Sequence, residues 1–114
     1  MGKAVRAAQT LRATTRGARG AGHSVYVVLL HDARRGLEPW GLYVGQTSRD
    51  PDLRFDQHKT GYKASRYVHR YGVRLVPELV AHLNPLRRWE AVHLEEALAD
   101  AFVRAGITWL EGGH

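Results

Sequence analysis

Near its C-terminal end the chain places an acid among apolar residues. On a helical wheel of about 100° per residue, Ala91, Leu94, Leu98 and Phe102 form one apolar arc, extended by Val92, Ala99 and Val103. Glu95 falls inside that arc, between Phe102 and Ala99, whereas Glu96 falls at its border beside His93 and Asp100. A carboxylate on an apolar face is costly unless it is paired, protonated or bound to a metal. A buried Glu–Arg pair, or a carboxylate snorkelling at the core edge, is the structural way to satisfy Glu95.

Other candidates for chemistry lie upstream. Tyr26 and Tyr43 fall in two apolar runs that read as neighbouring strands, where two tyrosines can share a face. A routine cross-strand aromatic pair is the plain alternative. Gly45 ends the second run and permits close approach of a ligand or another backbone, or simply ends a strand. Arg54 and His58 are spaced i, i+4, so on a helix they share a face. Such a pair suits a phosphate, and a solvated surface is the alternative. From His58 to Arg74 there are Lys59, Lys63, Arg66, Arg70 and Arg74 without an acid, interleaved with Tyr62, Tyr67 and Tyr71. Basic residues mixed with aromatics can neutralise phosphates and stack on bases. The spacing 63, 66, 70, 74 keeps the cations on one helical face for most of its length, which a solvated face would also explain.

These groups need elements to hold them. Ser24–His31 is a continuous run of β-branched, aromatic and aliphatic residues, the pattern of a strand buried on both faces. Residues 32–41 carry turn formers, and Leu42–Gly45 is a second strand, which predicts a long-looped antiparallel hairpin. Asp50-Pro51 is a cap-plus-proline start for a helix over 51–60 that stops at Gly61. A short helix follows over 64–71. A third strand lies within 73–83, limited by Pro77. Asn84-Pro85 repeats the cap signal and predicts a long helix over 85–105; Ile107–Leu110 reads as a short strand or a loop. The order predicts an α+β fold with a small three-stranded antiparallel sheet flanked by helices.

The 114 residues suit one domain. The absence of cysteine excludes disulfides, thiolate zinc sites, iron–sulfur clusters and cysteine nucleophiles, and is compatible with a cytoplasmic location. No apolar run approaches the ~18 residues of a membrane span, so no membrane partner is expected. No Walker-type loop, dinucleotide fingerprint or zinc-spaced histidine pair is present. The net charge of +6 points to a polyanionic partner, but Lys3, Arg6, Arg12, Arg16 and Arg19 place +5 of it in residues 1–22. That segment holds only Val5 and Leu11 as sizeable apolar groups, so it reads as a basic, flexible arm ahead of a single domain over 23–114.

The order Val25-Tyr26-Val27, Tyr43-Val44-Gly45-Gln46-Thr47-Ser48, Arg54 with Gln57 and His58, then Leu94-Glu95 with Leu98, resembles the GIY-YIG nuclease domain over about residues 24–105. Val25 and Val27 replace the first glycine and the isoleucine of the name motif, and Ile107–Leu110 stands where many members carry an asparagine. The resemblance implies a divalent-metal-dependent endonuclease that hydrolyses DNA phosphodiesters with one Mg²⁺ or Mn²⁺. It implies that Glu95 anchors the metal, Tyr26 activates water, Tyr43 orients the site, Arg54 binds the scissile phosphate, and His58 relays a proton or contacts phosphate. Gly45, Lys59, Lys63, Arg66 and Arg70 are then expected at the DNA, and a targeting partner protein is expected to supply specificity. A non-catalytic nucleic-acid-binding module on the same scaffold is the alternative. In a third reading, the tyrosines and Glu95 are simply parts of a small core.

Overall fold

A computed structural model describes residues 1–113. Strand β1 (Ser24–His31) is the centre of the molecule and is buried on both faces, as its unbroken apolar run predicts. Side chains alternate across a strand, so Val25 and Val27 enter one core cluster with Val44, Leu94, Leu98 and Phe102. Tyr26, Val28 and Leu30 enter a second with Val68 and Trp109. Strand β2 (Trp40–Thr47) pairs antiparallel with β1 along its whole length, from Ser24↔Thr47 to His31↔Trp40.

Helix α2 (Pro51–Thr60) begins and ends as its signals predict. Asp50 Oδ1 accepts from the Asp52 amide at 2.8 Å, and Gly61 closes the helix at φ 90°, a left-handed conformation suited to glycine. Helix α3 (Arg66–Tyr71) is capped by Ser65 and is shorter than predicted, so it cannot carry all four cations at 63, 66, 70 and 74. Lys63 lies before it, at φ 46°, and Arg74 lies beyond it, paired with Glu78. Strand β3 (Gly72–Leu75) pairs antiparallel with β1 and stops before Pro77.

Helix α4 (Arg88–Arg104) starts later than the Asn84-Pro85 signal implies. Asn84 has another use: its side chain accepts from the Val25 amide at 2.9 Å and donates to the Val25 carbonyl at 2.8 Å, pinning the start of β1. Val92 and Val103, expected to extend the apolar arc of α4, are exposed. Strand β4 (Leu110–Gly112) adds to the far edge of β2 in parallel. The sheet is thus four-stranded and mixed, in the order β3-β1-β2-β4, rather than three-stranded and antiparallel. Three residues are too few to show a strand period, which is why β4 could be read as strand or loop.

The largest departure from expectation is the N-terminal segment. It packs on the core instead of forming a free arm. Helix α1 (Gly2–Gln9) buries Ala4 and Ala8, whose small side chains let it lie close against α4 and the turn at 77–79. Lys3 Nζ donates to the Gly106 carbonyl at 3.1 Å, just beyond the end of α4. At the other end of α4, Thr15 Oγ1 accepts from the Arg87 amide at 3.0 Å. The segment therefore spans α4 from end to end. Its anchors are small alanines and polar groups, so a search for large apolar groups could not find them.

Candidate active site

Tyr26 and Tyr43 lie on the same face of the sheet, with ring centroids 6.2 Å apart. The register explains this: Tyr26 is opposite Gly45, and Tyr43 is opposite Val28, one step along on that face. Gly45 has no room for a side chain. A Cβ there would lie 2.5 Å from the Tyr26 Cζ and Oη atoms. In this structure the close approach that Gly45 permits is made by the Tyr26 ring.

Helix α2 then brings His58 against Tyr26. His58 is fully buried, with Nε2 at 2.8 Å from the Tyr26 hydroxyl. Its Nδ1 accepts from the Ser65 amide at 3.0 Å. A backbone N–H can only donate, so Nδ1 carries the lone pair and Nε2 carries the proton. His58 therefore donates to Tyr26. Burial, followed by the nearby Arg54 cation, lowers its pKa to about 4, so it is neutral at physiological pH. The expected phosphate contact does not fit a fully buried ring. A proton taken by His58 would have to reside on Nδ1, against the Ser65 N–H, so a relay through this ring is also disfavoured. Ser65 was not singled out in the sequence; its Ser-before-helix position was the available signal.

Glu95 is buried and Glu96 is exposed, as the wheel implies. No Glu–Arg pair satisfies Glu95: among the described residues the ion pairs are Arg34–Asp32 and Arg74–Glu78. Burial raises its pKa to about 7, Glu96 adds to the rise, and the Gln46 backbone amide opposes it. Burial likewise pushes the Tyr26 hydroxyl well above the usual tyrosine range, with Tyr43 contributing and Arg54 pulling back. Tyr43 is also raised, again chiefly by burial. The Arg54 cation lowers and the Glu95 carboxylate raises the pKa of both hydroxyls, so both charges lie within electrostatic reach of the tyrosine pair.

Arg54 lines a cleft of about 210 Å³ with Thr47, Ser48, Arg49, Gln57, Tyr62 and Lys63. Its Nη1 donates to Gln57 Oε1 and the Tyr62 carbonyl, both at 3.3 Å, and its Nη2 donates to the Lys63 carbonyl at 2.7 Å. That leaves Nε and the second Nη2 hydrogen for a ligand. Arg49, next to the Asp50-Pro51 cap, was not singled out in the sequence. Lys59 does not serve as a phosphate contact. Its ammonium bonds the carbonyls of Val68, His69 and Gly72, at 3.4, 3.2 and 2.9 Å, closing the end of α3. Arg66 and Arg70 are exposed on α3.

No cluster of three or more histidine or acidic side chains is present among the described residues. A metal here would have one protein carboxylate, Glu95, and would keep several waters. Mg²⁺ and Mn²⁺ favour oxygen ligands, and Mg²⁺ retains water readily, so the donor set fits. Gln46, whose amide faces Glu95, also has a buried side-chain oxygen without a hydrogen-bond partner. Among the described residues, no helix is long and apolar enough to cross a membrane. No family model, curated protein or solved structure matches the chain.

Proposed function

We propose that this cleft is the active site of a divalent-metal-dependent endonuclease acting on DNA phosphodiesters, the activity that the GIY-YIG resemblance implies. The observation that carries the reading is a buried carboxylate without an ion pair, Glu95, which meets the backbone amide of Gln46, the residue next to the Gly45 on which the Tyr26 ring packs. A purely structural acid would be saturated by donors, as Glu90 is on the same helix.

In this reading Arg54 offers its remaining N–H groups to the scissile phosphate, and Glu95 holds Mg²⁺ or Mn²⁺. The metal, when bound, supplies positive charge against the negative charge that develops on the phosphate. Tyr26 holds the attacking water. His58 donates to the Tyr26 oxygen, which offsets part of the burial that disfavours the phenolate and so raises the share of Tyr26 able to take a proton. Tyr43, whose ring lies 6.2 Å from that of Tyr26, helps to orient it.

The test is nicking of supercoiled plasmid in Mg²⁺ or Mn²⁺. Glu95→Gln is expected to lose at least about 10³-fold in rate, equivalent to roughly 4 kcal/mol of barrier, while Glu96→Gln stays near wild type. Cutting by Glu95→Gln at the wild-type rate would sink the assignment. The second reading is a non-catalytic nucleic-acid-binding module. It is favoured by the engagement of Arg54 with the Tyr62 and Lys63 carbonyls, and it predicts that wild-type protein binds DNA in either metal without cutting it.

A further inference from the structure

The loop between β1 and β2 brings Arg34 and Arg35 beside helix α3, from which they are distant in sequence. Arg35 Cζ lies 4.1 Å from the centroid of the Trp109 ring. Arg34 and Arg70 both lie on Tyr71, at 5.8 and 5.3 Å, and Arg66 lies on Tyr67 at 5.0 Å. Tyr71 and Trp109 meet edge to face, with centroids 5.5 Å apart, so the rings form a joined support. Arg34 also donates to the Tyr71 hydroxyl, and Arg66 to that of Tyr67. The nearby acids are Asp32, which pairs with Arg34, Glu111, which accepts from the Trp109 indole, and Glu38, which accepts from Thr108 beside Trp109. All four arginines are exposed.

This arrangement changes what the aromatics can do. Single strands bind proteins by stacking bases on open ring faces. Here guanidinium groups lie over those rings. A stacked guanidinium is also restrained, so it loses less freedom on meeting a phosphate, which it can grip with two parallel N–H donors.

We propose that Arg34, Arg35, Arg66 and Arg70 form a sequence-independent contact surface for the phosphate backbone of duplex DNA, set to one side of the candidate active site. The surface rests on the nucleic-acid reading of the protein and not on cleavage. Its offset follows from β2. Trp109 packs on Gly41, and Tyr26 packs on Gly45, on the same face of that strand. At about 3.4 Å per residue this separates the two by roughly 14 Å. Duplex DNA rises about 3.4 Å per base pair, so an offset of this size corresponds to about four base pairs.

The experiment measures binding of a labelled duplex of about 20 base pairs by wild type, Arg34→Ala/Arg35→Ala and Arg66→Ala/Arg70→Ala, in chelator, over a range of salt. Each double variant is expected to bind about tenfold or more weakly, equally for two unrelated sequences. The slope of log affinity against log salt is expected to fall in magnitude by about 2, near 0.9 per lost phosphate contact. The matching single strand is expected to bind more weakly than the duplex, and its affinity to change little in Arg34→Ala/Arg35→Ala. Melting temperatures close to wild type establish that the exposed substitutions leave the fold intact. An unchanged salt slope in Arg34→Ala/Arg35→Ala overturns the surface while leaving DNA binding in place. Equal losses toward polyglutamate overturn it in favour of an acidic-protein partner. No duplex binding by wild type at low salt overturns both the surface and the nucleic-acid reading. Cutting does not enter the readout, so the endonuclease reading stands or falls separately.

Discussion

Glu90 and Glu95 lie on the same helix and are almost equally buried, at 4% and 7% exposure. Their surroundings are opposite. Glu90 accepts from the amides and hydroxyls of both Thr14 and Thr15, with its shortest contact at 2.6 Å. It also sits in the first turn of α4, where the helix dipole favours an anion. Although burial works against it, these donors hold its pKa at about 2. Glu95 has the single opposing backbone amide of Gln46, a like-charged neighbour in Glu96, and a pKa raised to about 7. Burial alone therefore does not mark a functional acid. What separates the two is the number of donors that the fold aims at each carboxylate. The N-terminal segment supplies all of those donors for Glu90, whereas the amide that meets Glu95 comes from β2.

The comparison breaks most severely if that segment is removed. Deleting residues 1–16 exposes the α4 surface under Ala4 and Ala8 and removes the Thr14 and Thr15 donors from Glu90. Each hydrogen bond lost to a charged group costs about 1.5–3 kcal/mol, and the packing of α1 is lost with them, a large part of the stability of a domain this size. Loss of a cooperative thermal transition is expected. A melting temperature within a degree or so of wild type would show that the segment is dispensable, contrary to its packing.

A narrower change separates the two acids directly. Glu90→Gln keeps the shape but replaces one acceptor oxygen with an NH₂ facing amide and hydroxyl donors. A loss of about 2–3 kcal/mol is expected in urea unfolding, with little change in m-value. Glu95→Gln is expected to leave stability equal or slightly higher, since it removes a poorly compensated buried acid. Its cost falls on cutting instead. If both substitutions destabilise alike, the contrast between a saturated and an unsaturated carboxylate is wrong.

Gly45→Ala probes the site without touching either acid. The new methyl group would meet the Tyr26 ring at 2.5 Å, so the ring must shift away from His58. Overpacking of this kind costs about 1–3 kcal/mol. The rate of cutting is expected to fall more steeply than stability, as measured by nicking and thermal melts on the same sample.

The smallest effect is the dependence of stability on pH, where the two acids act with opposite sign. The folded-state pKa of Glu95 is raised, so the folded chain holds its proton more tightly than the unfolded chain. Its contribution therefore improves as pH falls from about 7 toward the ordinary glutamate value of 4.5. Glu90 is lowered; its contribution is full above 4.5 and is lost as pH falls from there toward 2. Melting curves should show the first slope vanish in Glu95→Gln and the second diminish in Glu90→Gln.

Local signals proved the most legible. Asp50-Pro51 and Gly61 bounded α2, the unbroken apolar run of β1 marked a doubly buried strand, and the α4 wheel separated Glu95 from Glu96. Each depends on residues close together in the chain, so spacing alone determines the outcome. The Asn84-Pro85 signal misled because Asn84 had a distant partner, the Val25 backbone, that no local rule contains. Tertiary structure alone decided the remaining matters. It placed Thr14 and Thr15 on Glu90, about 75 residues away in the chain, turned the His58 proton toward Tyr26 through the Ser65 amide, and consumed the Lys59 ammonium on three carbonyls. It also stacked Arg34 and Arg35 on Tyr71 and Trp109. The physical reason is common to all of these. A polar group's role depends on which donors and acceptors reach it within about 3 Å, and long-range folding chooses them. The composition and spacing of the chain specified which chemical groups were present and which face of each element they occupied.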